Sequence, residues 1–168
     1  MKTYSGKYKV KNVKKYEGDH TNVTYRSMWE KHCFEWCDKN TDILKWSSEE
    51  VVIPYFYDVD QKFHRYFIDL KIVFKDKRTL LVEVKPKRQT NPPKGDKRTK
   101  KYLNEAYTYI KNMKKWEAAN QYAADRGWFF QIWTENELKE MSILPKTPGK
   151  LAKMKPMRRK KTKRKSNK

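Results

Sequence analysis

Tyr66-Phe67-Ile68-Asp69 and Leu80-Leu81-Val82-Glu83-Val84-Lys85 are the two stretches that decide the fold of this chain. They indicate adjacent strands, joined by the polar turn Lys75-Asp76-Lys77-Arg78. The apolar start of the second stretch is typical of a strand that is buried on both faces. Glu83 and Lys85 then follow two residues apart, so their side chains point to the same face of that strand.

A candidate metal site follows from this placement. Asp69 belongs to the neighbouring strand and can come close to Glu83 and Lys85. Carboxylate oxygens are the ligands that Mg²⁺ prefers, and a lysine can orient the attacking water or balance developing charge. The pattern therefore predicts a site for metal-dependent phosphodiester cleavage. The alternative is a cross-strand salt bridge at a sheet edge, because Asp followed by Glu-x-Lys often arises by chance.

The composition favours a single domain that binds a polyanion. The chain has 168 residues, with 41 Lys and Arg against 20 Asp and Glu, and a formal net charge of +21. This length is sufficient for one domain with its own core. The charge favours nucleic acid as the partner, with a membrane surface as the rival. No segment is long and apolar enough for a signal peptide or a transmembrane helix, so we expect a soluble protein, made in a cytoplasm, with no membrane partner.

Hydrophobic spacing and capping residues predict an alternation of helices and strands. The predicted elements are, in order, a helix over residues 27–40, strands over 49–57, 63–74 and 80–85, a helix over 98–126, a strand over 128–133 and a short helix from the capping box Thr134–Glu137 to about Met141. The order helix, strand, strand, strand, helix, strand predicts an α/β (α+β) fold in which helices flank a central mixed sheet.

The long predicted helix carries an apolar stripe that we expect to be buried in the core. Its members recur at steps of three and four residues: Leu103, Ala106, Ile110, Met113 and Trp116. A break near Asn112 would divide this segment into two helices, and the sequence leaves both arrangements open.

Glu30 has two interpretations. It follows Ser27 by three residues and can complete a capping box at the start of the first helix, which alone would explain its presence. It can also supply a third carboxylate to the metal site.

Basic residues are concentrated after Lys85 and at the C-terminal end. From Lys146 onward the chain has twelve Lys and Arg and no acid, and such a block does not fold on its own because like charges repel. The predicted organisation is a basic arm (1–24) that wraps the domain or touches DNA, a catalytic domain (25–144) and a disordered polybasic tail (145–168). The predicted DNA-binding residues are Lys87, Arg88, Arg98, Lys100, Lys101, Arg158, Arg159, Lys160 and Lys161.

Asp69, Glu83 and Lys85 resemble the active-site triplet of the PD-(D/E)xK, restriction-endonuclease-like superfamily, with Ile68 where many members have proline. The predicted αβββαβ order is the core topology of that superfamily. With Glu30 on the first helix, the set resembles the TnsA-like branch. Further segments resemble the head completion nucleases of T-even-type tailed phages: Lys15-Tyr16-Glu17-Gly18-Asp19, Tyr25-Arg26-Ser27-Met28-Trp29-Glu30, Trp36-Cys37-Asp38 and Glu83-Val84-Lys85-Pro86-Lys87.

The resemblance implies a Mg²⁺-dependent DNA nuclease, with Mn²⁺ as a substitute metal, that cuts double-stranded DNA as an endo- or exonuclease. Catalysis would involve Glu30, Asp69, Glu83 and Lys85, with the three carboxylates as metal ligands. The resemblance also implies a role in phage head completion, in which packaged DNA is processed before head–tail joining. Portal, neck or other head proteins would be partners, and the protein would occur in the host cytoplasm during assembly and then in the head or neck of the virion.

Other functions fit parts of the same pattern. A non-catalytic plug at the portal vertex would keep the fold and bind DNA without cutting it. A TnsA-like transposon-end nuclease would use the same chemistry in another setting. An RNA-binding protein of ribosomal type would explain the charge but not the pairing of carboxylates with a lysine.

Overall fold

The computed structural model of the protein describes residues 4–146. Its elements are β1 (Gly6–Lys7), β2 (Thr24–Tyr25), α1 (Met28–Lys39), β3 (Ile43–Ser47), β4 (Val52–Tyr57), β5 (Lys62–Phe67), β6 (Leu70–Phe74), β7 (Thr79–Val84), α2 (Lys100–Ala124), β8 (Phe129–Trp133) and α3 (Glu135–Glu140). The predicted mixed α/β class is confirmed. The predicted tail lies, from residue 147 onward, outside the described residues. Within residues 4–146, no helix has the length and apolar character needed to cross a membrane.

A four-stranded mixed sheet forms the centre of the domain. Its strand order is β3-β6-β7-β8, with antiparallel pairing up to β7 and parallel pairing between β7 and β8. Every residue of β7 is buried, as its apolar run predicts. Val82 and Val84 belong to a cluster of buried residues that includes Cys33 of α1, whereas Leu81 belongs to a second cluster with Trp116 of α2. The sheet therefore lies between α1 and α2.

The first strand of this sheet is not the one that the sequence predicts. It is β3, whereas the predicted strand over residues 49–57 forms β4, which pairs with β5 in a separate hairpin. A β-bulge between Ile43 and Lys45 breaks the alternation of side chains in β3, so the two-residue period that identifies a strand is missing there. With β3 as its first strand, the sheet still has the predicted order of helix, three strands, helix and strand.

The predicted strand over residues 63–74 is divided by a break next to Asp69. Its first part, β5, pairs with β4, and its second part, β6, pairs with β3 and β7. Tyr66 and Ile68 are buried on the α2 side of the sheet, whereas Leu70 is buried on the α1 side. A continuous strand would place these evenly spaced residues on one face. The chain therefore turns at Asp69, where the hairpin meets the central sheet.

The apolar stripe of α2 is buried only in part. The helix is continuous over 25 residues, without a break near Asn112. Trp116 is buried, but Leu103 is 45% exposed and Met113 is 44% exposed. Ile110 is also exposed, so the expected burial of the stripe is wrong for these three residues. A helix of this length spans about 37 Å, whereas a five-residue strand spans about 17 Å, and the first half of α2 therefore extends beyond the sheet.

The N-terminal segment wraps around the α1 side of the domain. Tyr8, Val10 and Tyr16 are buried in the same cluster as Trp46 of β3, and Tyr16 also forms a backbone bridge with Trp46. The hydroxyl of Tyr8 donates a hydrogen bond of 2.7 Å to Asp38 of α1. Tyr8 and Tyr16 therefore belong to the core, whereas Tyr4 is exposed.

Candidate active site

Asp69 and Glu83 come together because β6 and β7 are antiparallel neighbours. Leu70 pairs with Val82, so Asp69 and Glu83 occupy the next opposed positions along the two chains. The backbone N–H of Val84 donates a hydrogen bond of 2.8 Å to Oδ2 of Asp69. This bond holds the Asp69 carboxylate at the end of β7, so the structure brings the predicted pair together.

Glu83 is a buried carboxylate with two polar partners. Its side chain lies within the α2 side of the molecule, and Glu83 is only 2% exposed. The Tyr66 hydroxyl donates to Oε2 at 2.8 Å, and the Lys85 ammonium lies 2.8 Å from Oε1. A buried charge requires such partners to offset its lost hydration. Because β7 lies between β6 and β8, this ion pair does not fit the alternative of a salt bridge at a sheet edge.

The carboxylates around Lys85 keep its ammonium charged. Burial alone would lower the pKa of Lys85, but the Glu83 carboxylate, with contributions from Asp69 and Glu30, outweighs burial and raises it. At neutral pH the site therefore contains a cation that can orient water or interact with a negatively charged oxygen.

Glu30 caps α1 and also lies near the proposed metal site. The Ser27 hydroxyl accepts a hydrogen bond of 3.2 Å from the Glu30 N–H, and it donates to Oε1 of Glu30 at 2.9 Å. Oε2 accepts a bond of 2.8 Å from the backbone N–H of Arg26, one residue before the position expected for a capping box. Burial, followed by the charges of Glu49 and Glu83, raises the pKa of Glu30. Both interpretations of this residue therefore have a structural basis.

The three carboxylates place more negative charge here than one lysine balances. Burial, and then the charges of Glu83 and Glu30, raise the pKa of Asp69 well above its ordinary value. A buried, oxygen-rich site with excess negative charge suits a hard divalent cation such as Mg²⁺. The donor set therefore fits the predicted metal.

The site is not a closed metal cage. Across residues 4–146, no group of three Cys, His, Asp or Glu side chains is already arranged to hold a metal ion. Tyr66 and Lys85 occupy the two oxygens of Glu83, and Val84 occupies one oxygen of Asp69. Metal binding would therefore require these carboxylates to exchange or share their present partners.

The sequence did not reveal several other residues at this site. Tyr66 lies in the stretch that decides the fold, yet its hydrogen bond to Glu83 depends on the turn at Asp69. Lys115 of α2 lies with its ammonium 5.1 Å from the centre of the Tyr66 ring. Glu49 pairs with Arg26 at 2.7 Å and has a positive φ of 57°. These contacts join residues far apart in the chain, and no local pattern signals them.

The predicted DNA-binding residues form separate groups. Lys87 and Arg88 are exposed in a short 3₁₀ turn just after Lys85. Arg98 lies just before α2, Lys100 and Lys101 lie in its first turn, and all three are exposed. Arg158, Arg159, Lys160 and Lys161 lie outside the described residues. The DNA-binding roles of the residues in all these groups stay predictions.

The fold and this site together define a class of protein. A mixed sheet between two helices, with two carboxylates and a lysine at the end of its central strands, is the arrangement of a restriction-endonuclease-like domain. Residues 40–135 match the family described as TnsA-like endonuclease N terminal, a span of more than half of the 168-residue chain. The chain therefore belongs to the TnsA-like endonuclease family, as its motifs predict.

A known nuclease is similar to this chain over most of its length. The chain is 43% identical over 145 residues to the head completion nuclease of Enterobacteria phage T4. The aligned region covers 83% of this chain and 97% of that protein. The chain is therefore a homologue of a head completion nuclease over nearly the whole length of that relative, which confirms the predicted resemblance.

Proposed function

We propose that the protein is a Mg²⁺-dependent DNA nuclease whose catalytic centre consists of Asp69, Glu83, Lys85 and Glu30. The observation that carries this proposal is the buried pair of Glu83 and Lys85, 2.8 Å apart, next to Asp69 in a chain that belongs to an endonuclease family. A buried ion pair surrounded by further carboxylates contributes little to stability. Its arrangement is better explained by chemistry.

The residues have distinct roles in this proposal. Asp69, Glu83 and Glu30 would hold Mg²⁺, and Mn²⁺ would substitute for it. When bound, the metal would polarise the phosphoryl oxygens and lower the pKa of a water molecule. The Lys85 ammonium would orient that water and balance the charge that develops on the phosphate. The Tyr66 hydroxyl would fix the Glu83 carboxylate, and hydrolysis would leave a 5′-phosphate and a 3′-hydroxyl.

The biological setting rests on the relative and on the charge. The name of the phage T4 relative, head completion nuclease, supports a role in which the protein processes packaged DNA before the tail joins the head. Portal, neck or other head proteins would be its partners. It would act in the host cytoplasm during assembly and stay with the virion. The net charge of +21 supports double-stranded DNA as the substrate.

A non-catalytic plug is the second candidate, because the same excess of 41 basic over 20 acidic residues would hold DNA at the portal vertex without any chemistry. A cleavage assay distinguishes the nuclease from the plug. Full-length protein is incubated with supercoiled and with linear DNA, in Mg²⁺, in Mn²⁺ and in EDTA. The nuclease proposal predicts cleavage in both metals and none in EDTA. Stable binding with intact DNA under every condition would favour the plug.

A further inference from the structure

Two lysines of α2 form a row that leads along the β4–β5 hairpin toward the active site. Lys111 and Lys115 are four residues apart, so they project from the same side of the helix. The ammonium of Lys111 lies 5.4 Å from the centre of the Tyr57 ring, and that of Lys115 lies 5.1 Å from the centre of the Tyr66 ring. Tyr57 is at the tip of the hairpin and Tyr66 is near its base. The row therefore ends beside Glu83, to which Tyr66 donates its hydrogen bond.

Lys115 is half-buried. In the part of the chain that the structure describes, no carboxylate oxygen lies within 4.0 Å of its ammonium. Burial lowers the pKa of Lys115; Glu83 opposes this effect, and the neighbouring Lys85 adds to it. Among the residues that the structure describes, no carboxylate forms an ion pair with this ammonium, and a phosphate would supply a direct anionic partner.

The neighbouring Lys114 provides a contrast. Its ammonium lies 2.7 Å from the Asp58 carboxylate and 3.9 Å from that of Glu117. Lys114 is therefore neutralised on an adjacent face of the same helix, whereas Lys111 and Lys115 lie over aromatic rings. This difference within one helical turn separates lysines used in ion pairs from lysines that are available to an anion.

We propose that Lys115 and Lys111 bind backbone phosphates of the DNA strand that enters the active site, with Lys115 next to the scissile phosphate. This inference rests on the proposed nuclease function. Four residues of helix advance about 6 Å, and Tyr57 and Tyr66 lie four residue pairs apart along the hairpin, about 13 Å. The two ammonium groups can therefore reach two phosphates of one strand that are one or two steps apart. The aromatic rings hold the long side chains in place, so less side-chain entropy is lost when a phosphate binds.

The first arm of the test measures DNA binding by the full chain in EDTA, at several salt concentrations. Each lost phosphate contact decreases the slope of log affinity against log salt by about one. We therefore expect Lys115→Ala and Lys111→Ala each to flatten the slope by about one. Lys114→Ala, which removes the same charge from an existing ion pair, should change the slope much less. If the slopes of Lys115→Ala and Lys114→Ala are equal, the proposed contact is overturned.

The second arm measures steady-state cleavage in Mg²⁺. Lys115→Ala should reduce kcat/KM about ten- to a hundredfold, as expected for the loss of one charge-assisted contact, and Lys114→Ala less than about twofold. Lys115→Arg should recover most of the activity, because it restores the charge. A merely structural Lys115 would lower the thermal midpoint and leave the salt slope unchanged, which would overturn the inference. If the wild-type protein does not cleave DNA, the nuclease proposal is contradicted. The salt slopes in EDTA do not depend on cleavage, so they still test the phosphate contacts of Lys111 and Lys115.

Discussion

Two buried carboxylates, Asp38 in the last turn of α1 and Glu83 in β7, lie on opposite sides of the central sheet. Each accepts a hydrogen bond from a tyrosine, Tyr8 at 2.7 Å and Tyr66 at 2.8 Å. Both carboxylates are shielded from water, with Asp38 6% exposed and Glu83 2% exposed. The remaining partners of the two differ, and this difference separates a structural carboxylate from one that is suited to chemistry.

Asp38 is satisfied by neutral donors. Besides Tyr8, its oxygens accept hydrogen bonds from the backbone N–H groups of Lys11 and Asn12, at 2.9 and 3.4 Å, and from the indole of Trp46 at 3.3 Å. Four donors from two separate segments, residues 8–12 and β3, converge on one side chain. Asp38 therefore ties the N-terminal segment to α1 and β3, and it has little capacity left for a ligand.

Glu83 is surrounded by other charges. Its partner Lys85 is a cation, and burial, together with the charges of neighbouring carboxylates, raises the pKa values of Asp69 and Glu30. Such a cluster is unfavourable until a cation or a substrate balances it. Burial alone therefore does not distinguish the proposed catalytic carboxylate from Asp38. The unbalanced charge around Glu83 does.

The largest expected effect is on the cleavage rate, when Lys85, the cation paired with Glu83, is removed. Lys85→Ala should decrease the single-turnover rate of DNA cleavage by about a hundredfold or more, because charge stabilisation contributes several kcal/mol to the barrier. Lys75→Ala, in the exposed turn between β6 and β7, is the matched control and should cut at the wild-type rate. A normal rate in folded Lys85→Ala would remove the functional distinction between the two carboxylates.

Substitution on the other side of the sheet should affect stability instead. Asp38→Asn replaces one acceptor oxygen with a donor that faces other donors. We expect it to decrease the free energy of unfolding by about 2 kcal/mol, measured by urea denaturation. The folded fraction should still cleave DNA at the wild-type rate. Loss of cleavage without loss of stability would mean that Asp38 also serves the chemistry.

A substitution of Glu30 distinguishes a structural role, capping of α1, from a role as a metal ligand. Glu30→Gln keeps the length of the side chain and can still accept the hydrogen bond from Arg26, so α1 should stay capped. If Glu30 is a metal ligand, the Mg²⁺ concentration for half-maximal cleavage should rise about tenfold. Circular dichroism checks that the helix is intact. An unchanged Mg²⁺ titration would leave Glu30 with the capping role alone.

The smallest effect concerns the stability of the metal-free protein. Burial and the nearby carboxylates raise the pKa of Asp69, so the folded state binds its proton more tightly than the unfolded state. Stability should therefore fall as pH rises from the ordinary carboxylate range through this raised pKa. Asp69→Asn removes this penalty and should increase the melting temperature in EDTA at neutral pH, whereas Asp38→Asn decreases it. The gain should disappear as the pH is lowered, and a destabilised Asp69→Asn protein at neutral pH would contradict the account of the site.

The sequence predicted the part of the site that depends on local pattern. Glu83 and Lys85 share a face because of the two-residue period of a strand, and Asp69 lies opposite because a short polar turn makes β6 and β7 antiparallel neighbours. Ser27 predicted the start of α1 by its capping hydroxyl. In each case the physical cause acts over a few residues.

What the sequence did not reveal depends on distant contacts or on irregular backbone. The bulge in β3 removed its alternation. The turn at Asp69 was hidden because apolar residues recur at every second position on both sides of it, at Tyr66, Ile68, Leu70 and Ile72. The exposure of Leu103 follows from the length of α2 relative to the sheet. The helical spacing of apolar residues does not reveal this relative length. Lys115 reaches the active site only because α2 crosses the β4–β5 hairpin, a contact between segments about fifty residues apart.

The central claim is that the carboxylate cluster around Glu83 carries out metal-dependent cleavage of DNA. Asp69→Asn tests it most directly, because this change keeps an oxygen for the Val84 N–H and removes the charge. Cleavage and binding of the same DNA are measured for wild type and for Asp69→Asn, in Mg²⁺ and in Mn²⁺. The account predicts that binding is retained in both proteins and that the cleavage rate of Asp69→Asn falls about a hundredfold or more. Cleavage by folded Asp69→Asn at the wild-type rate would contradict it.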